Sequence, residues 1–138
     1  MTELKGNRMT VIRTAARQRI TPDNIPAGCP IASAGMFIIR ADGTATFDRH
    51  HHDFDEFWFV ASGSGTVQVG DEQHHIIAGD IIITVAGLDH DVVDVGAELH
   101  VFWLSLPPTP GGSDAHLHRT EQDATKHAVP VIPVGEQR

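Results

Sequence analysis

The 138-residue chain has no tyrosine, one cysteine (Cys29) and only two lysines, Lys5 and Lys126. A single cysteine excludes a disulfide framework. Cys29 lies in Gly28-Cys29-Pro30, a turn setting with no activating partner in view, so it reads as neither redox centre nor nucleophile. No apolar run approaches the roughly 20 residues that cross a bilayer, so no membrane span is expected. The start, Met1-Thr2-Glu3-Leu4-Lys5-Gly6, carries no apolar signal region, and the expected location is cytoplasmic. Positive charge is scarce: the net charge is −8 with histidine neutral. That excludes the basic footprint nucleic acid needs, and no nucleic-acid partner is expected.

What the chain does have is β-prone sequence and histidine. Hydrophobic residues make up 41 % and charged residues 20 %, ordinary for one globular domain with a single core. Short apolar runs separated by Gly, Pro and Asp predict many strands and almost no helix. Residues 10–14 are expected as a first strand and residues 15–30 as a loop broken by Pro22, Pro26, Gly28 and Pro30. Further strands are expected over 31–40, 56–61, 66–69, 73–77, 81–85, 91–95 and 99–106. Gly63 and Gly65 bracket one turn, and Gly70-Asp71-Glu72 closes a hairpin. The apolar run 81–85 reads as a strand buried on both faces. Pro107-Pro108-Thr109-Pro110-Gly111-Gly112 ends the pattern. The expected organisation is an N-terminal arm and loop (1–30), a sandwich or jelly-roll barrel (31–106) and a C-terminal tail (107–138). Within that tail, Val129–Val134 reads as an edge strand or a segment packed across a neighbouring subunit.

Ten histidines are present, and two stretches concentrate them usefully. The first is His50-His51-His52-Asp53-Phe54-Asp55-Glu56, followed by Gly63. The second runs from Gly79 through Gly87 to His90. His50, His52, Glu56 and His90 together supply three imidazoles and one carboxylate, a ligand set for a divalent metal. On a strand, side chains alternate faces, so residues 50, 52, 56 and 58 share one face while His51 points away. His51, His74, His75, His100 and His127 otherwise read as surface or hydrogen-bonded histidines.

The two stretches resemble the paired motifs of the cupin superfamily. In the first motif, the two histidines one residue apart, the glutamate after three more residues and the glycine after six more all match. The leading glycine, Gly43, sits one residue further upstream than the pattern asks. In the second, Gly79, Gly87 and His90 match, while Val85 replaces a frequent proline and Asp94 a frequent asparagine. The resemblance covers roughly residues 31–106. It implies an all-β double-stranded β-helix, or jelly-roll, barrel. It also implies one divalent transition metal (Fe, Mn, Ni, Cu, Co or Zn) on His50, His52, Glu56 and His90, and a homodimer.

A divalent ion with one carboxylate ligand carries a formal charge of about +1 and attracts an anionic group, which points to a small-molecule substrate of that kind. Glu56 has a double role by resemblance: ligand, and catalytic general base when off the metal. Trp58 and Phe54 either wall the pocket or pack the core. Of Phe102 and Trp103, one faces inward. Asp94 shares the parity of His90 and is either an acceptor behind a ligand imidazole or the solvent end of a strand. His100 acts as acid or base only if it faces inward. His116 and His118 belong to a mobile tail, a lid or proton relay over the barrel mouth, or a surface metal site. A phosphate clamp would rest on Arg40 and Arg49, the barrel's only arginines, so a phosphorylated substrate is poorly supported.

The favoured function is a metal-dependent enzyme on a small oxygenated organic molecule. Its chemistry is dioxygenase-type, or isomerase or lyase chemistry on an enolisable carbonyl or sugar acid. The alternatives are a small-molecule binding or sensor module, and a Lewis-acid cyclase of polyketide type. The missing tyrosine counts against dimethylsulfoniopropionate lysis, since cupin lyases of that class resemble one another in using a tyrosine base.

Overall fold

The computed structural model describes residues 10–119. Five strands form one antiparallel sheet system: β1 (Ser33–Arg40), β2 (Glu56–Val69), β3 (Glu72–Ile77), β4 (Ile81–Thr84) and β5 (His90–Ser105). The sheet order is β1-β5-β2-β3, with β4 pairing β2. Among the described residues the one helical element is a three-residue 3-10 turn, Thr14–Ala16. His127 and the apolar run 129–134 lie outside the described residues.

Alternation of β-branched and aromatic residues builds the core. Ile39, Trp58, Val60, Val67, Ile76, Ile82, Val92, Val95, Leu99 and Val101 meet in one buried cluster with Phe47. From His50 to Val60 the even-numbered side chains are buried and the odd ones are not, the period-2 signature of a strand-like run with one covered face. The expected hairpin forms: Val69 pairs with Glu72 across Gly70 and Asp71.

Three expectations are corrected. Residues 10–14 do not form a strand. Gln18 accepts the Arg13 backbone N–H at 2.7 Å, and the Arg13 carbonyl accepts from Ala16 and Gln18, so local bonds satisfy this backbone without a neighbouring strand. The 56–61 and 66–69 runs are one strand, as are 91–95 and 99–106, because the sheet bends instead of turning back. Register shifts between Val60 and Ser62, between Gly63 and Gly65, and between Thr66 and Val67 absorb the bend. The run 81–85 is covered on one face only: Ile82 and Thr84 are buried, whereas Ile81, Ile83 and Val85 are 60 %, 53 % and 42 % exposed. Phe59 pairs with both Ile81 and Phe102, and all three are exposed, so the strip crosses three strands.

Gly63 makes the bend possible. Its φ is +87°, and a Cβ there would lie 2.0 Å from the Glu98 carbonyl oxygen on β5. Backbone rather than a flexible side chain is the obstacle, so it cannot give way cheaply. Gly63→Ala is expected to destabilise the fold by about 2–4 kcal/mol in urea unfolding. A loss under about 0.5 kcal/mol would contradict this reading of the bend.

Candidate metal centre

The two histidine stretches meet through the backbone. His50 and His90 exchange both main-chain hydrogen bonds, at 3.2 and 2.8 Å, and Gly87 donates to the His52 carbonyl at 2.8 Å. Residues forty apart in sequence thereby become cross-strand neighbours. Ligand atoms of His50, His52 and His90 all lie within 4.8 Å of one another, and all three side chains are buried.

The nitrogens are arranged for a ligand. His50 Nδ1 sits 2.6 Å from the Asp48 carbonyl oxygen. A carbonyl only accepts, so Nδ1 carries the proton and Nε2 keeps its lone pair. Both ring nitrogens of His52 and of His90 are buried without a hydrogen-bond partner. A buried nitrogen left unmet costs about 1–3 kcal/mol, and an ion could take one nitrogen from each ring. Burial, first of all, holds these imidazoles neutral: it lowers the pKa of His50 to about 4, of His52 to about 3 and of His90 to about 2. For His50 the charge of His116 adds to the effect, and for His52 and His90 that of His50 does. Neutral, unpartnered and convergent imidazoles are what a divalent transition metal needs. The residues fit such an ion.

Each of the three imidazoles has an aromatic neighbour. Phe47 stacks on His50 with centroids 4.8 Å apart, Phe54 on His52 at 4.3 Å, and Trp58 meets His90 edge-on at 5.4 Å. Phe47 was not expected from the sequence, although it belongs to the segment leading into the histidines.

Glu56 is buried close by, but it belongs to neither group of side chains within metal-ligand distance among the described residues. Its Oε1 accepts from Trp58 Nε1 and its Oε2 from Ser105 Oγ, both at 2.7 Å. Ser105 is opposite Glu56 in the β2–β5 register, a pairing with no trace in the local sequence. Glu56 and Ser105 line a cavity of about 430 Å³ with His50, His116, Phe37, Phe47, Phe54 and Trp103. Trp103 is therefore the inward member of its pair, and Phe102 faces out at 39 % exposure.

The remaining candidates fall elsewhere. Asp94 is buried on β5 opposite Thr66, not at a solvent end. His100 contacts the Glu98 carboxylate, which also pairs with Arg40 at 2.8 Å. Arg49 faces Asp89. Neither Arg40 nor Arg49 lines the cavity; Arg19, from the arm before β1, does. His51 turns toward Asp89, with Nδ1 3.2 Å from Oδ1.

Comparison with known proteins matches the fold. The cupin domain, as a family profile, matches residues 36–107. The chain belongs to the cupin family. A double-stranded β-helix protein of Klebsiella pneumoniae superposes on this cupin with a TM-score of 0.57 at 16 % identity, covering 81 % of this chain and 100 % of its own. A cupin 2 conserved barrel protein of Salinispora arenicola gives 0.51 at 18 % identity, covering 65 % and 73 %. These likenesses make the fold an antiparallel jelly roll. The protein y4oW of Sinorhizobium fredii is 36 % identical over 56 residues, 41 % of this chain and 26 % of that one. The cupin thus spans about a quarter of that relative. No helix among the described residues is long and apolar enough to cross a membrane.

Proposed function

We propose that this cupin is a metal-dependent enzyme acting on a small oxygenated organic molecule with an anionic or enolisable group. His50, His52 and His90 would hold the ion, and Glu56 would act as the acid–base group. The observation that carries the reading is the convergence of unpartnered, buried ring nitrogens beside a cavity that also holds a carboxylate. A divalent transition metal there supplies a Lewis acid and a site for an anionic oxygen.

The protein's own groups do the rest. Each Glu56 oxygen accepts one hydrogen bond and retains a lone pair, so the carboxylate can take a substrate proton while Trp58 and Ser105 hold its orientation. Phe37, Phe47, Phe54 and Trp103 exclude water and offer flat apolar walls. Arg19 is the one arginine or lysine among the lining residues and would receive a substrate carboxylate or enolate. Dioxygenation, or isomerase or lyase chemistry, fits this arrangement, and the aromatic walls favour Lewis-acid cyclisation as the second reading. The exposed strip over Ile81, Ile83, Phe59 and Phe102 is the face on which the expected homodimer would form.

The test is turnover by metal-loaded protein on diketones, phenols and sugar acids, followed by oxygen uptake and product analysis. Glu56→Gln is expected to keep its metal and lose about 100-fold or more in kcat. Wild-type kcat in Glu56→Gln would refute the assigned role.

A further inference from the structure

The segment after β5 returns across both histidine stretches. Thr109 donates its N–H to the Asp53 carbonyl at 2.8 Å, and the Ser113 N–H donates to the Asp53 carboxylate at 2.9 Å. Leu117 and His51 exchange two backbone hydrogen bonds of 2.9 Å. Arg119 donates from Nε to both oxygens of Asp89 at 3.0 Å and from Nη2 to the Gly87 carbonyl at 2.6 Å. Residues 107–119 are therefore a strap, tied down on either side of His116.

Side-chain alternation decides what the strap presents to the centre. With Leu117 opposite His51, residues 116 and 118 share a face with residues 50 and 52. The His116 ring lies parallel to that of His50, centroids 4.1 Å apart and planes 8° apart. Phe47 also stacks on His50, at 4.8 Å and 24°. One face of an imidazole is too small for two stacked rings side by side, so Phe47 and His116 lie on opposite faces. His116 meets His52 only at a tilt of 54°, so its stacking is specific to His50. His118 acts on the same ring from its edge. Its Nε2 meets the Asp48 carboxylate, and the Asp48 carbonyl takes the His50 Nδ1 proton at 2.6 Å.

Parallel stacking also denies His116 the ion that His50 would hold. The lone pairs of ring nitrogens lie in the ring plane, so stacked rings aim theirs side by side and not at one point. Ligand atoms of His116, His50 and Asp48 lie within 4.8 Å of one another, but for the two rings that nearness is face-to-face contact. We infer that His116 is a positioning residue for the metal ligand His50: it clamps the imidazole against Phe47 and fixes the plane in which Nε2 offers its lone pair. The inference rests on the metal reading above. Phe54 and Trp58 support His52 and His90 from within the first histidine stretch and β2, whereas His50 depends on the strap. A ligand ring free to turn must be ordered when the ion binds, which weakens binding.

The experiment titrates the full chain with Cu²⁺, read by chelator competition and electron paramagnetic resonance. His116→Ala, a truncation at an exposed position with its fold checked by circular dichroism, is expected to bind about 10-fold or more weakly than the wild type. His116→Phe keeps a flat ring without a nitrogen and is expected to bind within about 2-fold of the wild type. The number of coupled nitrogens is expected to be the same in all three proteins. In a His50→Ala background, His116→Ala is expected to cost less than about 2-fold further, because its effect passes through His50. Wild-type affinity in His116→Ala would overturn the inference and leave the metal reading standing. So would an equal loss in His116→Phe, or a nitrogen missing from the spectrum of either variant, since each makes His116 act through its nitrogens. A further loss of about 10-fold in the His50→Ala background would also overturn it, by making the strap's effect independent of His50. No Cu²⁺ binding by the wild type would remove both readings together.

Discussion

Metal-free protein will unfold as the pH is lowered from 6.5, with a midpoint above pH 4. The cause is the burial of His50, His52 and His90, whose pKa values are held at about 4, 3 and 2 against an ordinary 6.5. Below pH 6.5 the unfolded chain takes up protons at all three, while the native state does not. Stability therefore rises with pH in this window and is fully present only above it. Each histidine contributes up to about 1.4 kcal/mol per pH unit, so the three together approach about 4 kcal/mol per unit. Between pH 6.5 and 4 that amounts to on the order of 10 kcal/mol, comparable with the whole stability of a typical domain. Metal that binds the neutral imidazoles competes with these protons and moves the midpoint to lower pH. Urea titrations at several pH values measure the slope. A metal-free protein as stable at pH 4 as at pH 7 would contradict the assigned burial of these rings.

His90→Ala will bind divalent metal at least about 100-fold more weakly than the wild type while remaining a folded β protein. The backbone pair between His50 and His90 needs no side chain, and the hydrophobic core cluster contains none of the three histidines. Truncation leaves a void against Trp58 but also removes two buried, unpartnered nitrogens, so the costs partly offset. The same variant should lose about a third of the acid slope, which links the two predictions. His51→Ala is the control. It is adjacent in sequence but turned toward Asp89, and it should keep wild-type affinity. If His90→Ala binds as tightly as the wild type, or His51→Ala loses as much, the ligand assignment fails.

The alternation from His50 to Val60 was legible because period-2 burial is a local property of the chain. So was the spacing of the two motifs that bring His50, His52 and His90 into one family pattern. The convergence of His50 with His90 was implied by that pattern, but its means, a reciprocal backbone pair, depends on register across forty residues. The continuity of β2 and β5 was hidden because Gly63 and Gly65 look like turn residues. Only the neighbouring Glu98 and Asp94 carbonyls show that these glycines admit a close strand instead. Arg19 and Ser105 reach the cavity from the arm before β1 and from the end of β5, through contacts no local pattern encodes. His116 was visible as a candidate, yet its sequence reads equally as a tail. What places it is a set of bonds to Asp48, His51, Asp53 and Asp89, made by residues on either side of it.

The most direct test of the metal centre is the metal content of the full chain, purified without a metal-affinity step or chelator and then incubated with each of Fe²⁺, Mn²⁺, Co²⁺, Ni²⁺, Cu²⁺ and Zn²⁺. The account predicts about one tightly held ion per chain for at least one of these, lost in His52→Ala and His90→Ala. Less than about 0.1 ion per chain for every metal, in protein with a normal β-rich circular dichroism spectrum, would contradict it.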